Sequence, residues 1–140
     1  KRIGKAIIYQ INFEKNYSKK YLQFLLQREC EHSHPYIKMW VNELKKIKMS
    51  NAIILFGSVL TKHNLAKDID VLFIINKKKF DNINKQIGAI NLINQKKIHP
   101  IFQTEGDLKK NIKSEDKIIL NAIKGAVVLG EDILIELIKK

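Results

Sequence analysis

Asn51-Ala52-Ile53-Ile54-Leu55-Phe56-Gly57-Ser58-Val59-Leu60-Thr61-Lys62-His63-Asn64-Leu65-Ala66-Lys67-Asp68-Ile69-Asp70-Val71-Leu72-Phe73-Ile74-Ile75 is the stretch on which the reading of this chain turns. Its two apolar runs, 52–56 and 71–75, are strand-sized and continuous rather than alternating. That pattern belongs to strands covered on both faces. Gly57-Ser58 ends the first run, and the segment that follows reads as a short helix. The second strand, 70–75, is entered through two carboxylates, Asp68 and Asp70, separated by Ile69.

The elements outward from this stretch follow from periodicity and breakers. On the C-terminal side, Lys78 to about Gln95 reads as a helix with Phe80, Ile83, Ile87, Ile90 and Ile93 inward. Lys97–Phe102 reads as a third strand, and Pro100 confines it to an edge position or to the end of pairing. Two short helices (106–113 and 115–124), a strand at Ala126–Leu129 ended by Gly130, and a helix over 132–139 complete the chain. On the N-terminal side, Pro35 opens a helix to about Lys48 with Ile37, Trp40, Val41, Leu44 and Ile47 on one face. A preceding helix starts near Tyr17 or Ser18, with Tyr21, Leu22, Phe24, Leu25 and Leu26 as its apolar stripe. It fades into a polar connector at Glu29-Cys30-Glu31-His32-Ser33-His34. Lys5–Asn12 reads as one strand. The expected architecture is α/β (α+β): a small mixed sheet flanked by helices over 50–140, a helical section over 14–49, and a strand within 1–13.

Composition bounds the function. The chain has 140 residues and a formal net charge of +12, from 26 Lys+Arg against 14 Asp+Glu. No apolar stretch is long enough to span a bilayer, and no secretory leader pattern occurs, so a soluble, cytoplasmic protein is expected with no membrane partner. One cysteine, Cys30, cannot form an internal disulfide. Nearly all the basic residues are Lys, and the chain is rich in Ile and Asn, as AT-rich coding would produce. Much of the charge therefore reads as a solvated lysine coat, with a polyanion footprint as the functional alternative. Lys77-Lys78-Lys79 and Lys96-Lys97 read as solvated ends, or as guides for phosphate. Cys30 with His32 and His34 lacks a second ligand pair at zinc spacing and reads as a polar loop. Lys1 in place of Met implies that sequence precedes it.

The chemistry concentrates at 57–70. Gly57 allows an anion to approach the backbone, Ser58 adds a hydroxyl, and amides at a helix start favour negative charge. No Gly-Lys-Ser/Thr ending follows, so this is not a Walker loop. Asp68 and Asp70 share one face of a strand, ~6.6 Å apart at ~3.3 Å per residue. Two such carboxylates at the mouth of a buried strand invite a cation, and Mg²⁺ combines one or two carboxylates with phosphate oxygens. A metal-held nucleoside triphosphate fits this set.

Phe56-Gly57-Ser58, nine intervening residues, then Asp68-Ile69-Asp70-Val71 resembles the signature of the nucleotidyltransferase superfamily that includes DNA polymerase beta, in particular its minimal archaeal and bacterial members. Ile123-Lys124-Gly125-Ala126-Val127-Val128-Leu129-Gly130 is similar to the closing segment of those small domains. The resemblance implies that Gly57 and Ser58 hold an NTP such as ATP, and that Asp68 and Asp70 bind two Mg²⁺ ions. It also implies transfer of a nucleoside monophosphate to a hydroxyl, with a protein such as a toxin partner as one acceptor class. Active members carry a third acid on a following strand. Here that strand, Lys97-Ile98-His99-Pro100-Ile101-Phe102, has none. Three alternatives remain at this stage: His99 as base, Glu105 (with Asp107 nearby) reaching back, or a site that binds without turnover. Gly4–Asn12 also resembles the last strand of a winged-helix domain, which implies a DNA-binding domain ahead of this chain. The non-catalytic alternatives are a winged-helix regulator whose nucleotidyltransferase-like domain senses nucleotide or mediates homo-oligomer formation, and an antitoxin-like binding module.

Overall fold

The computed structural model describes residues 2–7 and 9–138. In chain order these form β1 (Arg2–Ile3), β2 (Ala6–Ile7), α1 (Asn16–Glu31), α2 (Pro35–Leu44), β3 (Ala52–Phe56) and α3 (Val59–Lys62). There follow β4 (Ile69–Ile74), α4 (Phe80–Ile93), β5 (Ile98–Gln103), α5 (Glu105–Lys113), α6 (Lys117–Ala122), β6 (Ala126–Leu129) and α7 (Glu131–Ile138). The main sheet has the order β5-β4-β3-β6. Strand β3 is antiparallel to both β4 and β6, and β4 is parallel to β5 across the α4 crossover. The fold is therefore mixed α/β with an open sheet, and β5 with its Pro100 occupies an edge.

The two central strands are buried on both faces, which accounts for their continuous apolar runs. One face carries Ile53, Leu55, Val71 and Phe73 against Ile37, Trp40 and Leu44 of α2 and Ile83, Ile87 and Ile90 of α4. The other carries Ala52, Ile54, Leu72 and Ile74 against Leu108 of α5, Ile119 of α6 and Leu134 and Leu137 of α7. Thus α2, from the 14–49 section, shares a core with the sheet rather than packing apart from it.

Several local expectations change. The N-terminal strand is not continuous over 5–12. Ala6–Ile7 pairs with Arg2–Ile3 as a minimal hairpin through Gly4, no strand covers 9–12, and Ile8 lies outside the described residues. Helix α1 runs on through Cys30, which is buried and not part of a loop. Its stripe is also shifted: Tyr21, Phe24 and Leu25 are exposed, whereas Leu26 and Cys30, one turn apart, face inward. The cause is a narrow partner, because α1 is received chiefly by edge strand β6 and helix α7, with a smaller contact to α2. Ile93 at the end of α4 is exposed too. Among the described residues no helix is long and apolar enough to cross a membrane.

Candidate functional site

The register of the sheet assembles the site. Phe56 pairs with Asp70, and Asp70 pairs with His99, so β3, β4 and β5 place Gly57, Asp70 and His99 at one end of the sheet. Ile69 is fully buried between Asp68 and Asp70, so the two-residue period of the strand leads both carboxylates to the opposite, more open side. Asp68 is exposed in the bend before β4, whereas the Asp70 side chain keeps 30% of its surface accessible.

Gly57 is required here on two grounds. Its φ of +78° lies in the left-handed region, and a Cβ on it would stand 2.3 Å from Asp70 Oδ2. The Asp70 carboxylate thus lies directly against the glycine backbone, one oxygen in the cradle that a side chain would fill. Its other oxygen, Oδ1, is 3.1 Å from His99 Nδ1, and the His99 ring is 70% exposed. If Nδ1 carries the proton and donates to Asp70, Nε2 is left as a lone-pair acceptor open to solvent. Ser58 starts α3 with no capping bond from its side chain, so its hydroxyl is not committed to the helix. Gly125 allows the turn before β6 to close on this end: a Cβ there would stand 2.3 Å from the Leu55 carbonyl oxygen.

The structure does not bring Glu105 to this place. It begins α5 beyond the far end of β5, where its Oε1 accepts from Asn51 Nδ2 at 2.9 Å. Four residue steps along the strand, about 13 Å, separate His99 from Gln103, so Glu105 cannot reach back to Asp70. Asp107 is equally remote and has a structural task. It closes a capping box with Thr104, whose hydroxyl and backbone bonds hold its carboxyl below the usual range. Among the described residues no three His, Cys, Asp or Glu side chains converge as a ready metal cage.

Cys30 is no ligand either. Its thiol donates to the Val127 carbonyl at 3.0 Å, and burial, with the Glu29 charge beside it, pushes it up to about 11. The feature that sequence reading missed is a histidine pair. The rings of His34 and His63 stack with centroids 3.8 Å apart and planes within 7°. His63 sits at φ +48°, ψ −120°, a conformation that costs a non-glycine residue on the order of 1–3 kcal/mol. No periodicity links two residues so far apart in sequence, and only the packing of α2 beside the turn after α3 joins them. Comparison with known proteins finds no family model, no curated protein and no solved structure that matches the chain.

Proposed function

We propose that this end of the sheet binds an Mg²⁺–nucleoside triphosphate and transfers its nucleoside monophosphate to a hydroxyl acceptor. The observation that supports the reading is the contact of the Asp70 carboxylate with the Gly57 backbone, because a phosphate received at Gly57 would lie beside an oxygen able to ligate Mg²⁺. The donor set suits the ion: Asp68 and Asp70 offer hard carboxylate oxygens, and Mg²⁺ completes such a pair with phosphate oxygens and water. Bound there, Mg²⁺ would neutralise charge on the reacting phosphate and on the departing pyrophosphate.

The chain's own residues have distinct tasks in this scheme. Gly57 admits the phosphate to the backbone and Ser58 offers a hydroxyl to it. Asp70 orients His99 through Oδ1. The acceptor oxygen forms its bond to the α-phosphorus as the bond from that phosphorus to the bridging oxygen breaks, and pyrophosphate leaves. The acceptor proton passes to His99 Nε2, the ring nitrogen not engaged by Asp70. The Asp70–His99 contact is what favours His99 over Glu105 for that task.

A calorimetric titration tests the reading. The native protein is expected to bind ATP with Mg²⁺ and to lose at least tenfold in affinity without it, and Asp68→Asn/Asp70→Asn is expected to remove that dependence. Equal binding with and without Mg²⁺, unchanged in the double variant, would sink it. Mg²⁺-dependent binding with no transfer of labelled nucleotide to any hydroxyl would favour the non-catalytic regulator, in which the lack of a third acid near Asp70 leaves the site as a sensor.

A further inference from the structure

A second feature lies at the same end of the sheet. A pocket of about 430 Å³ opens there, within the range of small-ligand sites. Its apolar wall is Ile37 of α2, Leu60 of α3 and Ala126 of β6, and its aromatic wall is the stacked His34–His63 pair. Glu29 stands at the rim. Ala126 pairs with Leu55, two residues before Gly57, and the Leu60 N–H donates to the Gly57 carbonyl at 3.2 Å. The pocket and the Asp68–Asp70 carboxylates therefore lie on opposite sides of Gly57-Ser58.

The histidine pair has an unusual local chemistry. His34 Nδ1 accepts the Tyr36 backbone N–H at the start of α2, so that nitrogen carries no proton in the cap. His63 Nδ1 is buried and has no hydrogen-bond partner. His63 is also held in its positive-φ conformation. Its ring is held by stacking on His34, while its backbone carbonyl accepts from the Ala66 N–H at 3.1 Å. Two flat, parallel imidazoles beside an apolar wall form a platform of the kind on which bases stack.

We propose that this pocket is the nucleobase site: a purine ring extends the His34–His63 stack while its triphosphate runs over Gly57-Ser58 to Asp68 and Asp70. The Glu29 carboxylate accepts from an exocyclic amino group on the base edge, the chemistry by which carboxylates read amino-bearing bases. This assignment rests on the metal–triphosphate reading above and adds the ligand class, an amino-bearing purine nucleotide.

The test uses the whole chain with two probes, MgATP and Mg–tripolyphosphate, so that base and phosphate contributions separate. His34→Asn keeps an acceptor for the Tyr36 N–H, and His63→Asn tolerates positive φ, so both remove a ring without removing a backbone role. Each is expected to weaken MgATP about tenfold or more and to leave Mg–tripolyphosphate unchanged. In the native protein, MgATP is expected to shift the imidazole C–H resonances of both histidines, and tripolyphosphate to shift neither. MgATP affinities within twofold of native in both variants would overturn the base site while leaving the phosphate reading intact. Equal losses for the two probes would also overturn it, reducing the pair to a structural role. Failure of the native protein to bind either probe with Mg²⁺ would remove the functional reading and the base site with it.

Discussion

Gly57 shows how one residue type can be dictated by its neighbours. Both its positive φ and the 2.3 Å approach of Asp70 Oδ2 exclude a side chain. Gly57→Ala is expected to destabilise the fold by about 1–3 kcal/mol through backbone strain. It is also expected to weaken MgATP binding by displacing Asp70, which denaturant titration and calorimetry would check together. The expected loss of stability together with native MgATP affinity would mean that the glycine serves the turn alone. Gly57, Ser58, Asp68 and Asp70 could be picked out from residue type and spacing, because a strand's two-residue period turns spacing into shared direction. The partnership of Asp70 with His99 could not, because it depends on which residues of two parallel strands lie side by side.

Elements differ in how far their own pattern predicts their packing. Helix α2 was legible: Pro35 at its start and the spacing of Ile37, Trp40, Val41 and Leu44 describe the buried face found. Helix α1 was not, since its apolar residues outnumber the narrow line along which β6 and α7 receive it. That line runs through Leu26 to Cys30, whose thiol is bonded to Val127 of β6. Burial raises this thiol from 9.0 to about 11. The folded state therefore keeps a proton that the unfolded chain sheds between those values. The stabilisation is complete below pH 9 and is lost as pH climbs through 11. Native protein is expected to lose on the order of 2 kcal/mol more than Cys30→Ser across that interval, measured by urea unfolding at each pH. Parallel curves for the two would show that folding leaves the titration of this thiol unchanged.

At the scale of the whole molecule, the sheet sandwiched between α2 and α4 on one face and α5, α6 and α7 on the other carries the stability. Amides of β3 and β4 are expected to exchange only by global unfolding, and those of the 2–7 hairpin within the first seconds, as read by hydrogen-exchange mass spectrometry. Uniform protection would show that the hairpin belongs to the cooperative core. The net charge of +12 has no single location in the sequence: residues 1–50 carry +7 and residues 51–140 carry +5. The proposed triphosphate path across Gly57-Ser58 is the one place where a polyanion is assigned within it. The sequence by itself determined the mixed α/β class, the strand–turn–helix–strand order around 51–75, the edge position of the Pro100 strand and the two aspartates at a strand mouth. All of these follow from local period, breakers and the missing N–H of proline. Only the tertiary structure decided that His99 joins Asp70, that Glu105 lies at the far end and that His34 stacks on His63. The physical reason is that strand register and helix docking are set by packing between segments distant in the chain, and no local period encodes which of those segments meet.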